Sequence, residues 1–175
     1  FSAEDASGAV IAKEDLGDTV RDAQSALESL AEWLRGRYGD GRILGVGHRV
    51  VHGGAQFATP TIVTPEVMAA LRELIPLAPL HQPVSLELGE EARRQWPQAR
   101  HIGCFDTAFH QTQSDLQRRY ALPRALHDRG IKHYGFHGLS HAYVSNALFA
   151  REPALREGRV VIAPLGSGAS ACAVK

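Results

Sequence analysis

The stretch Gly47-His48-Arg49-Val50-Val51-His52-Gly53-Gly54 sets an arginine between two histidines and follows it at once with a glycine pair. A guanidinium presents five donors in a planar fork that matches a carboxylate or phosphate bidentately, so Arg49 is a candidate oxyanion receptor. The apolar run Ile43-Leu44-Gly45-Val46 before it predicts a short buried strand. That strand would deliver Arg49 to a sharp turn, where glycines permit positive φ and close approach. An ion pair between Arg49 and a structural carboxylate, beside an ordinary hairpin turn, fits the same residues equally well.

Three other groups carry chemistry. Asp106 follows Ile102-Gly103-Cys104-Phe105, a second predicted buried strand, and a carboxylate at a strand's C-terminal end sits where α/β sheets bind ligands. It could hold a metal ion or orient a reacting group, or simply form an Asx turn. His137 and His141 stand four apart where a helix over 142–150 should begin. Positive potential at a helix start favours an anion and a neutral imidazole. A zinc pair is the alternative, although no HExxH glutamate accompanies it and no third ligand is evident. His81 lies in Ala78-Pro79-Leu80-His81-Gln82-Pro83, which predicts an extended, proline-stiffened segment that could hold the imidazole in one direction, with an ordinary surface loop histidine as the alternative. Finally, Gly166-Ser167-Gly168 forms the tip of a predicted hairpin whose backbone N–H groups could cradle phosphate, as many ordinary hairpin tips could.

The elements that must position these groups read as alternating helices and strands. Ala9-Val10-Ile11 is a candidate strand. Val20, Ala23, Leu27, Leu30 and Leu34 keep helical spacing behind Asp18, a candidate N-cap, and Gly36, Gly39 and Gly41 end that helix. Thr64-Pro65 starts a second helix, to about Leu74, before Pro76 and Pro79 break the chain. A third helix spans 83–96, with Val84, Leu86, Leu88 and Ala92 apolar and Glu87, Glu90, Glu91, Arg93 and Arg94 solvated. The pattern weakens around Arg118–Pro123. The chain closes with a strand over 160–163, the glycine turn, and a strand over 171–174.

Composition is that of a soluble globular protein: 44% hydrophobic, 22% charged, 7% aromatic. Acidic and basic residues cancel at 19 each, so no net field draws the chain to nucleic acid or membrane. No apolar run reaches bilayer length, and no signal-peptide pattern opens the chain. Cys104 and Cys172 lack metal-like spacing and fit reduced thiols in a cytosolic protein. A start at Phe1 and an end at Lys175, directly after a strand pattern, read as a chain cut at both ends.

Together the motifs resemble the acetate kinase family. The matching residues are Gly47–Gly54, Ala78-Pro79-Leu80-His81, Phe105-Asp106-Thr107-Ala108-Phe109-His110, Tyr134-Gly135-Phe136-His137-Gly138 with Ser140-His141, and Leu165-Gly166 with Gly168-Ala169-Ser170. The resemblance implies an α/β, actin/ribonuclease H-like fold of the acetate and sugar kinase superfamily, incomplete here, with mixed sheets flanked by helices. Residues 1–130 would belong to a first lobe on the acyl-substrate side, and 131–175 would begin the second. The implied reaction moves the γ-phosphoryl of ATP to the carboxylate of acetate or another short-chain acid, reversibly and with Mg²⁺. Arg49, Asp106 and His137 would be catalytic, with Asp106 near Mg²⁺. Arg49, Val51, Leu80, His81 and Phe136 would bind the acid, with Val51, Leu80 and Phe136 around its methyl group. Gly166, Ser167 and Gly168 would meet phosphate. A cytoplasmic location follows, and a homodimer in the full-length form, with no nucleic-acid or membrane partner.

This sequence also departs from the family's pattern. Pro164 and Ser167 stand where the family usually has His and Asn, and Pro164 can neither replace an imidazole nor donate an N–H. Gln82 and Leu139 stand where Asn and Thr are common. The family's N-terminal phosphate strand, a later arginine, the adenosine loops and a C-terminal glutamate have no counterpart in these residues. A non-catalytic member that binds acid or phosphate is the alternative reading, and a zinc hydrolase on His137 and His141 is a third.

Overall fold

The computed structural model describes residues 1–17, 20–39 and 43–175, which form two compact units. The first comprises Phe1–Leu44 and Glu87–Ala99; the second comprises Gly45–Leu86 and Arg100–Lys175.

In the first unit, β1 (Ser2–Glu4) and β2 (Val10–Lys13) form an antiparallel hairpin. The Asp5 carboxylate ties its turn by accepting the N–H groups of Ser7 and Ala9. Helix α1 runs Ala23–Tyr38. Its N-cap is Asp22, in a reciprocal box with Ser25: Ser25 N–H donates to the Asp22 carboxylate at 2.8 Å, and Asp22 N–H donates to Ser25 Oγ at 3.1 Å. The expected cap, Asp18, and the expected stop, Gly41, lie outside the described residues. At the other end Gly39 returns its N–H to the Arg35 carbonyl. The first unit also holds the later part of helix α3 (Gln82–Gln95). One expectation fails there: Glu91, assigned to the solvated face, is 4% exposed. Gln95 and Arg94 donate to its carboxylate, which lies below its ordinary pKa for that reason.

The second unit is built on a mixed three-stranded sheet. Strands β3 (Gly45–Val50) and β5 (Arg100–Phe105) are parallel, in a register that opposes Arg49 to Cys104 and Val50 to Phe105; the short β4 (Thr61–Ile62) pairs antiparallel with β5. The strand expected at 43–46 therefore starts later and runs through the histidine-arginine motif itself. It is not buried along its length, since Leu44 is 69% exposed and only Val50 reaches the core. Val50, Phe105, Val63, Leu86, and Met68 and Leu71 of α2 (Pro65–Arg72) make that core, with Phe57 stacked on Phe105 at 5.2 Å. Burial of such side chains contributes roughly 1.5–3 kcal/mol each. Thr64 caps α2 and Pro65 opens it, as the sequence predicts.

After a 3₁₀ turn at Ile75–Leu77, the segment expected to be extended is folded into turns instead. His81 and Gln82 both donate backbone N–H groups to the Ala78 carbonyl, and α3 starts at Gln82. Pro83 falls in the first helical turn, where its missing N–H costs nothing, so the prolines shape a helix entry and not an extended arm. Val84, assigned to the apolar face of α3, is 46% exposed. The chain continues through a short α4 (Arg124–Asp128), α5 (Gly138–Arg151), and the antiparallel pair β6 (Val160–Ile162) and β7 (Cys172–Val174), with a bridge between Leu165 and Ala169 at the tip. Both cysteines are free thiols. Among the described residues no helix is long and apolar enough to cross a membrane.

Candidate active site

The C-terminal ends of β3 and β5 bring Arg49 and Asp106 together. Asp106 N–H donates to the Val50 carbonyl at 3.0 Å, extending the ladder one residue past β5 and fixing the carboxylate beside the guanidinium. Arg49 Nη2 donates to Asp106 Oδ2 at 2.8 Å, and Nε lies 3.2–3.3 Å from both carboxylate oxygens. The pair is asymmetric: the Asp106 side chain is 2% exposed and that of Arg49 61%. A buried carboxylate thus orients a guanidinium whose remaining donors face solvent. Asp106 also raises the Arg49 pKa further above its already high value. Of the two readings of Arg49, the ion pair with a carboxylate is present, and the rest of the side chain stays exposed.

The turn after β3 is held from three sides. Gly54, at φ +61°, takes the left-handed conformation and donates its N–H to Nδ1 of His52. Gly53 N–H donates to Thr107 Oγ1 at 3.0 Å. Gln82, fully buried, accepts the His52 N–H and donates to the carbonyls of His52 and Leu71. Burial pushes the His52 pKa down, so its ring is neutral.

His137 is the N-cap of α5 and the single described non-glycine residue with positive φ (55°). Gly138 behind it donates its N–H to the Asp106 carbonyl, joining the helix start to the strand end. The His137 Nδ1 lies 2.8 Å from Ser170 Oγ, and His141 Nε2 lies 3.1 Å from the same oxygen. Phe136 presents its carbonyl to His110 Nε2 at 2.9 Å, which puts the His110 proton on that nitrogen because a carbonyl only accepts.

Arg49, Asp106, His110, Phe136, His137, His141 and Ser170 line one cleft of about 1000 Å³ within the second unit. Of the residues singled out from sequence, Arg49, Val51, His81, Asp106, Phe136, His137, Ser167 and Gly168 face it. Leu80 and Gly166 are not among the residues that line it, and Leu80 is 82% exposed; Leu77 and Ala78 stand on the cleft wall in that region. His141 lies on the wall with His137, but both bond to one hydroxyl, and no group of three or more His, Cys, Asp or Glu that could hold a metal ion is found among the described residues. Three residues without an assigned role prove structural to the site: Ser170, Gln82 and His110. Their sequence signals are faint, because a serine beyond a turn, a glutamine between prolines and a histidine after a strand each have commoner explanations.

For a magnesium ion the cleft lining offers one carboxylate, Asp106, whose two oxygens already accept from Arg49. Mg²⁺ is ordinarily held by one or two carboxylates plus substrate phosphates, so Asp106 would supply the protein's share.

The chain has relatives among known proteins. Over 150 residues the chain is 45% identical to the acetate kinase of Methylocella silvestris, covering 86% of this chain and 37% of that protein. It is 49% identical over 132 residues to the acetate kinase of Deinococcus radiodurans, covering 74% of this chain and 33% of that one. The crystal structure of a propionate kinase from Francisella tularensis superposes with a TM-score of 0.80 at 34% identity, over 88% of this chain and 40% of that one. The chain therefore spans well under half the length of these relatives, and its α/β architecture is that of the acetate and propionate kinases. The model of the acetokinase family matches residues 6–175, and this chain belongs to that family.

Proposed function

We propose that this chain forms the acyl-substrate side of an active site that moves the γ-phosphoryl of ATP to the carboxylate of acetate or a related short-chain acid. A carboxylate oxygen attacks the γ-phosphorus, the bond to the β,γ-bridging oxygen breaks, and acyl phosphate and ADP result; the reverse direction makes ATP. The observation that carries the reading is the convergence of Arg49, Asp106 and His137 on one cleft.

Such a transfer needs positioning and charge stabilisation more than covalent help from the protein. Arg49, aligned by Asp106, presents its outward donors to the acid or to the phosphoryl in flight. His137 faces the transferred group, and Val51 and Phe136 supply the apolar wall for a short acyl chain. Asp106 would hold Mg²⁺, whose chemistry is to neutralise phosphate charge. Ser167 and Gly168 lie on the side from which phosphates would approach. We place the lobe boundary near residue 130, and infer a cytoplasmic enzyme that is dimeric in its full-length form. The non-catalytic alternative rests on Pro164 and Ser167 alone and is the less favoured.

Hydroxylamine trapping of acyl phosphate tests this, using the full-length product of the gene with ATP, Mg²⁺ and a series of acids from formate to butyrate. Hydroxamate formation is expected, highest for a two- or three-carbon acid. No hydroxamate with any acid, together with ATP binding, would favour the non-catalytic reading.

A further inference from the structure

Ser170 Oγ is the meeting point of two imidazoles, and it has one proton to give. His137 Nδ1 is 2.8 Å away and His141 Nε2 is 3.1 Å away. If the hydroxyl donates to one ring and accepts from the other, two arrangements use every group. In the first, His141 Nε2–H donates to Ser170, and Ser170 donates to His137 Nδ1. The second reverses both bonds.

The far atoms decide between them. His141 is fully buried, and its Nδ1 has no hydrogen-bond partner. The reversed arrangement puts an N–H on that nitrogen, an orphaned donor in the interior. The first leaves only a lone pair there, and buried donors without partners are rarer than under-used acceptors. The stacked ring of Phe109, 5.8 Å away, and the perpendicular ring of His110 at 5.6 Å help to keep water away from His141. Burial also holds His141 below the ordinary histidine pKa, with His110 and His137 acting in the same direction, so it stays neutral. An arrangement in which both rings donate to Ser170 strands the hydroxyl proton without a protein acceptor.

We propose that Ser170, backed by His141, is a positioning residue that locks His137 in the Nε2–H tautomer, aiming an uncharged donor into the cleft. The Nε2 edge of His137 is unbonded among the described residues and lies beside Gly168, where an added Cβ would stand 3.5 Å from it. Its N–H is then available for an anionic oxygen without the ring having to be charged. The inference deepens the kinase reading and rests on it for the identity of that oxygen.

The direct test is ¹H–¹⁵N correlation of the imidazole nitrogens in ¹⁵N-histidine-labelled full-length gene product at pH 7.5. His137 and His141 are expected to show protonated Nε2 and bare Nδ1, with the His137 preference lost in Ser170→Ala and kept in Ser170→Thr, which retains the hydroxyl. A His137 protonated at Nδ1, or a tautomer indifferent to Ser170→Ala, would overturn the proposal. In the acyl phosphate assay, Ser170→Ala is expected to lower kcat at least about tenfold with the KM for the acid little changed, and Ser170→Thr to restore most of it. An unchanged kcat in Ser170→Ala would also overturn it. An unsubstituted protein that makes no acyl phosphate would sink the kinase reading, while the nitrogen shifts would still decide the tautomer.

Discussion

Gly138 donates its backbone N–H to the carbonyl of Asp106 across 2.9 Å, and a Cβ on Gly138 would stand 2.1 Å from that oxygen. The first residue of α5 thus sits directly on the strand end that carries the carboxylate. Helix start and strand end cannot separate without moving both His137 and Asp106. Gly138→Ala is expected to destabilise the protein by about 1–3 kcal/mol despite alanine's better helix propensity, because the overlap is with backbone that cannot rotate away. Urea denaturation of the two proteins checks this through the shift in midpoint.

Arg49→Lys keeps the positive charge and loses the fork. The Asp106 carboxylate engages Nε and Nη2 together, a grip that an ammonium cannot reproduce. The rate of acyl phosphate formation should fall on the order of 10²–10³-fold. A lysine variant within a few-fold of the parent would reduce Arg49 to a point charge.

Gln82→Leu removes three hydrogen bonds around the turn after β3 at nearly constant volume. The His52 N–H and the carbonyls of His52 and Leu71 lose their side-chain partner. An unsatisfied buried polar group costs about 1–3 kcal/mol, so a loss of about 3 kcal/mol or more is expected in the same denaturation assay.

His52 and His141 are buried, and both have folded-state pKa values below the ordinary 6.5. A histidine with a depressed folded pKa binds its proton more readily unfolded, so its contribution is intact above pH 6.5. The contribution is lost as pH falls from there toward the folded value. Stability should therefore decline below pH 6.5 with a slope approaching about 1.4 kcal/mol per pH unit for each ring. Denaturant midpoints at pH 7.5, 6.5 and 5.5 measure it, and a flat profile would mean that the rings are solvated.

Short-range signals in this sequence are easier to read than its packing. Thr64-Pro65 announces α2 because cap and first-turn proline act within four residues, and Asp106 stands out because an acidic residue follows the run Ile102-Gly103-Cys104-Phe105. Periodicity misplaced β3, since Gly45, Gly47 and the polar His48 and Arg49 dilute the apolar signal of a strand that contributes only Val50 to the core. The prolines at 79 and 83 suggested an extended arm, yet a proline at a helix's first turn is as comfortable as one in a loop. Glu91 reads as a solvated residue until Gln95 and Arg94 are seen to satisfy it. Ser170 was out of reach for a different reason: its role depends on two histidines about thirty residues earlier, and one-dimensional spacing holds no trace of that meeting.

The most direct test of the account is label transfer. The full-length gene product would be incubated with [γ-³²P]ATP, Mg²⁺ and acetate, and the fate of the label followed. The ³²P is expected in an acid-labile, hydroxylamine-reactive acyl phosphate, with Arg49→Ala transferring at least about 10²-fold more slowly. Label that stays on ATP or appears only as inorganic phosphate, or an Arg49→Ala variant that transfers at the parent rate, would contradict it.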